Sequence, residues 1–242
     1  MDSGVTIDKV LQQASDLAGW LHEQLWDYAV PANPRSRLAG ACFAAVQDHH
    51  DAIATLIEKR LHSSAFALVR VLFEAYVRGS WLANCATGAE LKAFQKDAKP
   101  PSISRQLQAL EAFGLGDGNL SKVKKCSWDA MNSYTHTGLL QIQRWNTVAG
   151  IEPNFQAEEI IQAIQFAGTF MLLSGLGIAS LNGDTALSRR ILEKCIEWVA
   201  NGGRTKNEHR FKSIGTGILR EEREFDVDMR DAIEHVRKFR YR

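Results

Sequence analysis

With 242 residues, 45% of them hydrophobic, the chain carries enough apolar material for one large or two small cores, which excludes a disordered or fibrous polymer. Lysine and arginine number 29 against 28 aspartate and glutamate, so the formal charge of +1 is too small to indicate nucleic-acid binding through bulk electrostatics and leaves room only for a small local basic site. Cys42, Cys85, Cys126 and Cys195 never form a C-x-x-C pair, and Asp2, Asp8, Asp16, Glu23 and Asp27 occupy the place of a basic leader; reduced thiols, a cytoplasmic location and no secretory signal are expected.

Nearly every segment repeats its apolar residues with a helical period and none alternates as a strand does, so the expected class is all-α: a helical bundle on residues 1–202 with a charged extension on 203–242. The first helix is predicted over Thr6 to Tyr28, stopped by Pro31 and Pro34. A second runs from Arg35 or Ser36 to about Arg60. After a break at 61–64, with serine as candidate N-cap, a third carries Phe66 to Leu82; so short a link predicts an antiparallel hairpin.

Inside that third helix Arg70, Glu74 and Arg78 interrupt an apolar run. Spacing of four places them on one face, where Arg70–Glu74 and Glu74–Arg78 pairs are both predicted. One glutamate cannot neutralise two arginines, and the excess positive charge beside an apolar wall suits a phosphate or another anion. The competing reading is a structural ion-pair seam.

Thr87-Gly-Ala-Glu90 predicts a capping box and a short helix to Asp97; Lys99-Pro-Pro-Ser102 interrupts the chain. A helix over Ile103 to Phe113, a Gly-rich turn and a helix to about Tyr134 follow. His136 closes that helix within Asn132-Ser-Tyr-Thr-His-Thr-Gly138, with Gly138 as candidate C-cap. A histidine there can act as general acid or base, with Asn132 and Tyr134 as candidate substrate contacts; the plainer reading is favourable contact with the helix C-terminus.

Residues 160–183 hold no charge and could span a bilayer by length. Gln162, Gln165, Thr169, Ser174 and Ser180, with glycines at 168, 175 and 177, favour a buried central helix over a membrane span, and no membrane partner is expected. Asp184 is placed to cap a following helix that ends at Gly202-Gly203. The extension beyond has eleven basic and eight acidic residues, and Phe225, Met229, Ile233 and Val236 predict an amphipathic helix over 225–239 able to dock on the body or a protein partner.

Asp48-His49-His50-Asp51 does not predict a metal site, because neighbouring helical residues diverge by about 100°. His49 remains a candidate contributor to the polar centre with Arg70 or Glu74. Phosphate-loop, dinucleotide and nucleophile-elbow motifs are absent from the sequence, and no cofactor is expected.

The hairpin pattern His-His-x-x-Ile…Ser-Ala-x-x-Leu-x-Arg-x-x-x-Glu over His49 to Glu74, followed by Asn-x-x-x-His-x-Gly at Asn132 to Gly138, resembles bacterial all-helical families that look like distant relatives of the HEPN superfamily. The resemblance spans about residues 10–200 and implies a helical bundle, often a homodimer. In active members it implies a metal-independent endoribonuclease of toxin or anti-phage systems. There an arginine precedes the histidine by four to six residues on one helix. Here no arginine stands at those offsets, so the resemblance implies catalytic roles for His136, Arg70, Glu74 and Arg78, with the arginine supplied by another helix, and RNA or a nucleotide-like anion as partner. The alternative is a non-catalytic binding or regulatory module whose polar centre is structural.

Overall fold

A computed structural model describes residues 6–115 and 118–202. Among these the chain forms nine helices and no strand, apart from one isolated antiparallel bridge between Asn146 and Ile151. The expected all-α bundle is the observed architecture. The predicted 225–239 helix lies outside the described residues.

Helix α1, Ile7–Leu25, starts where the Thr6 hydroxyl accepts the Lys9 N–H at 3.3 Å. Helix α2, Pro34–Glu58, begins at Pro34, just before the expected Arg35 or Ser36: the proline opens the helix instead of closing α1, because its fixed φ suits the first helical position and Asn33 accepts the Ser36 N–H at 2.9 Å. Helix α3, His62–Asn84, starts at Leu61 without a side-chain cap, so neither serine of the break serves as one. The two lie antiparallel as predicted and pack most extensively of all helix pairs.

Short helix α4, Gly88–Phe94, has the predicted capping box between Thr87 and Glu90, and it holds the Glu90 carboxyl below the usual range. Helices α5, Ile103–Ala112, and α6, Asn119–Thr135, both lean on α3. A five-residue helix α7, Leu139–Gln143, escaped the periodicity argument because it is barely more than one turn.

Helix α8, Ala157–Leu181, is the core. It is long and apolar enough to cross a membrane, yet 83% of its most apolar window is buried, against α1, α2, α3 and the last described helix, α9, Thr185–Gly202. Its glycines explain how α1, α2 and α9 approach it. A Cβ on Gly168 would lie 2.7 Å from the Trp198 ring, one on Gly175 2.7 Å from Leu21, and one on Gly177 2.6 Å from Phe43. Helix α9, Thr185–Gly202, is capped by Asp184, whose carboxylate accepts the Leu187 N–H at 2.9 Å.

Candidate functional site

The polar stripe on α3 meets the end of α6. Arg70 Nε donates to Glu74 Oε1 at 2.8 Å, as the four-residue spacing predicts, and Arg70 Nη1 donates to His136 Nε2 at 2.8 Å. The guanidinium carbon also stands 4.7 Å from the centre of the Trp128 ring, which Lys124 approaches at 5.0 Å. Arginine has no acceptor, so His136 Nε2 must be the unprotonated nitrogen and the ring proton sits on Nδ1. His136 is exposed, whereas Arg70, Glu74 and Trp128 are half-buried.

Helix α6 reaches this geometry through how it ends. The Thr135 hydroxyl lies 2.8 Å from Met131 O and 3.3 Å from Ala67 O, tying the helix to α3 less than one turn from Arg70. The predicted cap at Gly138 is corrected: His136 is the C-cap and Thr137 takes the left-handed conformation at φ 54°. The Gly138 N–H then donates to Ser133 O at 2.7 Å, closing a Schellman-type end. Glycine is needed at 138 for clearance, not for its φ: a Cβ there would stand 2.9 Å from Ser133 Cα. A β-branched residue in the left-handed region costs about 1–2 kcal/mol, so the turn presenting His136 is strained.

The predicted Glu74–Arg78 pair does not form. Glu74 turns its carboxylate to Arg70, and Arg78 has no ion pair with any described carboxylate; its Nε is buried without a hydrogen-bond partner. Arg78 instead lines an open groove of about 340 Å³ between α2 and α3, together with Glu74, His49 and Cys42. Burial pushes the Cys42 thiol up, and the Arg78 charge partly offsets that. His49 therefore shares this groove with Glu74, while its neighbour His50 is buried, with Nδ1 2.9 Å from Asp51. Asn132 is half-buried on α6, one turn before His136.

Tyr134 faces away from this centre. It is buried, stacks on Phe66 at 4.9 Å and faces a second polar centre that the sequence did not reveal, the Arg144–Glu159 ion pair. Burial raises the Glu159 carboxyl against the pull of Arg144, and burial likewise raises the Tyr134 hydroxyl. His62 and Phe155 close the same end, with rings 5.3 Å apart; burial and then Arg60 lower the His62 pKa. Trp145 joins it by donating to Ser63 Oγ at 2.6 Å.

The signal that could have found Trp128 is the four-residue stripe Lys124, Trp128, Asn132, His136, which lies on one face of α6 and mirrors the stripe on α3. A partly open pocket of about 250 Å³ is lined by Ser36, Ser80, Asn84 and Ser180, but its cation, Arg35, is spent on the end of α3, donating to Leu82 O at 2.7 Å and Ala86 O at 2.6 Å. Among the described residues no cluster of three or more His, Cys, Asp or Glu side chains could hold a metal ion.

No curated protein and no solved structure matches this chain. One family model does, over residues 43–199, from the middle of α2 to the last turns of α9 and so across both polar centres. That match spans more than half of the sequence: the chain belongs to DUF6988, a family of unknown function.

Proposed function

We propose that this chain is an HEPN-like, RNA-binding bacterial defence or toxin protein and that Arg70 and His136 form a metal-independent endoribonuclease centre. The observation that supports it is the 2.8 Å bond from Arg70 Nη1 to His136 Nε2, which joins residues 66 positions apart at a solvent-facing site. A scissile phosphate entering between them takes the guanidinium as its anion partner and releases Nε2. The freed imidazole removes the ribose 2′-OH proton, and the 2′-oxygen attacks phosphorus. The 5′-oxygen leaves with the proton from the imidazolium, and a 2′,3′-cyclic phosphate remains. Glu74 and Trp128 hold the guanidinium in place while the Arg–His bond opens. General base catalysis and charge stabilisation each supply about 10²–10⁴-fold and 10²–10³-fold in such reactions.

The test is incubation of the purified chain with fluorescent single-stranded RNA in EDTA. Cyclic-phosphate products that vanish in His136→Ala and Arg70→Ala, at unchanged melting temperature, support the reading. Intact RNA with the wild-type chain at high protein concentration rejects it.

A second reading, a non-catalytic module that assembles through an apolar face, is favoured by Leu139, Ile142, Val148 and Ile151, which are 68%, 51%, 102% and 88% exposed on one short segment. Light scattering of wild type against Ile142→Glu and Ile151→Glu tests it: a dimer reduced to monomer supports that face, and an unchanged mass rejects it.

A further inference from the structure

The Arg78 groove is not explained by the Arg70–His136 centre. Among the described residues no carboxylate pairs with Arg78, and its half-buried side chain, with Nε buried and unbonded, faces an open groove in which an anion would gain both its charge and its donors. The walls beside it are low and apolar: Ala41 and Ala45 from α2, Ala75 from α3, with Leu38 and Phe94 also lining the groove. A fixed cation beside an open apolar shelf matches a phosphate joined to a flat ring with an apolar face. An apolar shelf accepts the flat face of any base by burying it from water, and the ring of Phe94 in the same lining offers a surface on which a base can stack.

Position sharpens the match. Arg78 lies eight residues beyond Arg70, about 12 Å along the axis of α3 and turned by about 80° toward α2. Glu74 stands between them and belongs to both sites, bonded to Arg70 while lining the groove. It neutralises Arg70, and no described carboxylate pairs with Arg78. An extended single strand with its scissile phosphate at Arg70 and His136 that follows α3 would therefore carry a nucleotide one or two positions away over this groove.

We propose that the α2–α3 groove is a nucleotide subsite, seating a residue one or two nucleotides from the scissile phosphate, with that residue's phosphate on Arg78 and its base against the Ala41, Ala45 and Ala75 shelf. The inference rests on the RNA reading above. Arg78 is thus a binding residue, and His49 lines the same seat.

The full chain is titrated into a short fluorescein-labelled RNA carrying 2′-O-methyl groups, which block cleavage. Two variants probe the groove from different sides: Arg78→Gln removes the cation, and Ala41→Trp, at an exposed position, fills the shelf. Each is expected to weaken binding about tenfold or more, the loss of one base stack or one phosphate contact. On cleavable RNA each should raise KM and leave kcat within about twofold, and Arg78→Lys should restore part of the binding. Thermal unfolding confirms that both variants are folded. Wild-type affinity in both variants, with Arg70→Ala weakened, overturns the subsite and leaves the RNA reading standing. A fall in kcat at constant KM overturns it as well, since a seat for a flanking nucleotide does not act on the chemistry. Failure of the wild-type chain itself to bind RNA removes the RNA reading, and the subsite with it.

Discussion

Two arginine centres in this protein use similar side chains for different ends. Arg70 on α3 reaches Glu74, Trp128 and an exposed His136, and its surroundings stay open to solvent. Arg144, after α7, pairs with Glu159 at the first turn of α8 beside the buried Tyr134, and the Glu159 side chain is only 9% exposed. The two guanidinium side chains are equally exposed, at 19%, and it is their partners that separate them: His136 is exposed and the Glu74 side chain is 23% exposed, against 9% for Glu159. A pair whose partners meet water can exchange one for a substrate, because water and counter-ions soften the loss; a pair with a buried carboxylate cannot be opened without leaving a charge unsolvated. On the reading proposed above the first serves as a site, and the second fastens the α7 segment to the bundle.

Breaking each pair should expose the contrast. Arg144→Ala leaves Glu159 buried without its cation and should cost about 3–5 kcal/mol, read as a lower urea midpoint. Arg70→Ala should cost only about 1–2 kcal/mol, the sum of a half-exposed ion pair and one cation–π contact, while abolishing RNA cleavage. Equal losses in the two variants would erase the distinction.

Thr137→Gly relieves the left-handed strain at the α6 end and should stabilise the protein by about 1 kcal/mol, less whatever the freer unfolded chain takes back. If the strained turn positions His136, that stabilised variant should cleave RNA more slowly; faster cleavage would sever strain from function. The smallest effect concerns acid. His62 at the fastened end has a lowered folded pKa, so the folded state resists its protonation. The stability this group contributes is present above its ordinary value of 6.5 and is lost as pH falls below it toward the folded pKa. His62→Gln should flatten the decline of melting temperature in that window, and an equally steep decline would assign it to other groups.

Much of the fold could be read from local patterns. The antiparallel hairpin, the Thr87 box, the Asp184 cap and the buried apolar helix all follow from periods and caps that act over a few residues. Of the site, the Arg70–Glu74 pair was legible for the same reason. The pairing of Glu74 with Arg78 failed because a carboxylate that turns toward one helical turn turns away from the other. Arg144 and Glu159 were invisible because the loop between them has no period to read.

The sequence by itself determined the helical class, the caps that start α4 and α9, the central place of the uncharged run 160–183 and the arginine stripe on α3. Each is a matter of spacing along one helix or of a side chain bonding backbone within a turn. Only the tertiary structure decided that α6 brings His136 onto Arg70, that Tyr134 belongs to a different centre, and that Arg78 lines a groove without pairing to any described carboxylate. Those outcomes depend on where two helix surfaces meet. For His136 and Arg70 that register is set by how α6 lies on α3, through the Thr135–Ala67 hydrogen bond and the Phe66–Tyr134 ring contact, and no local pattern encodes it.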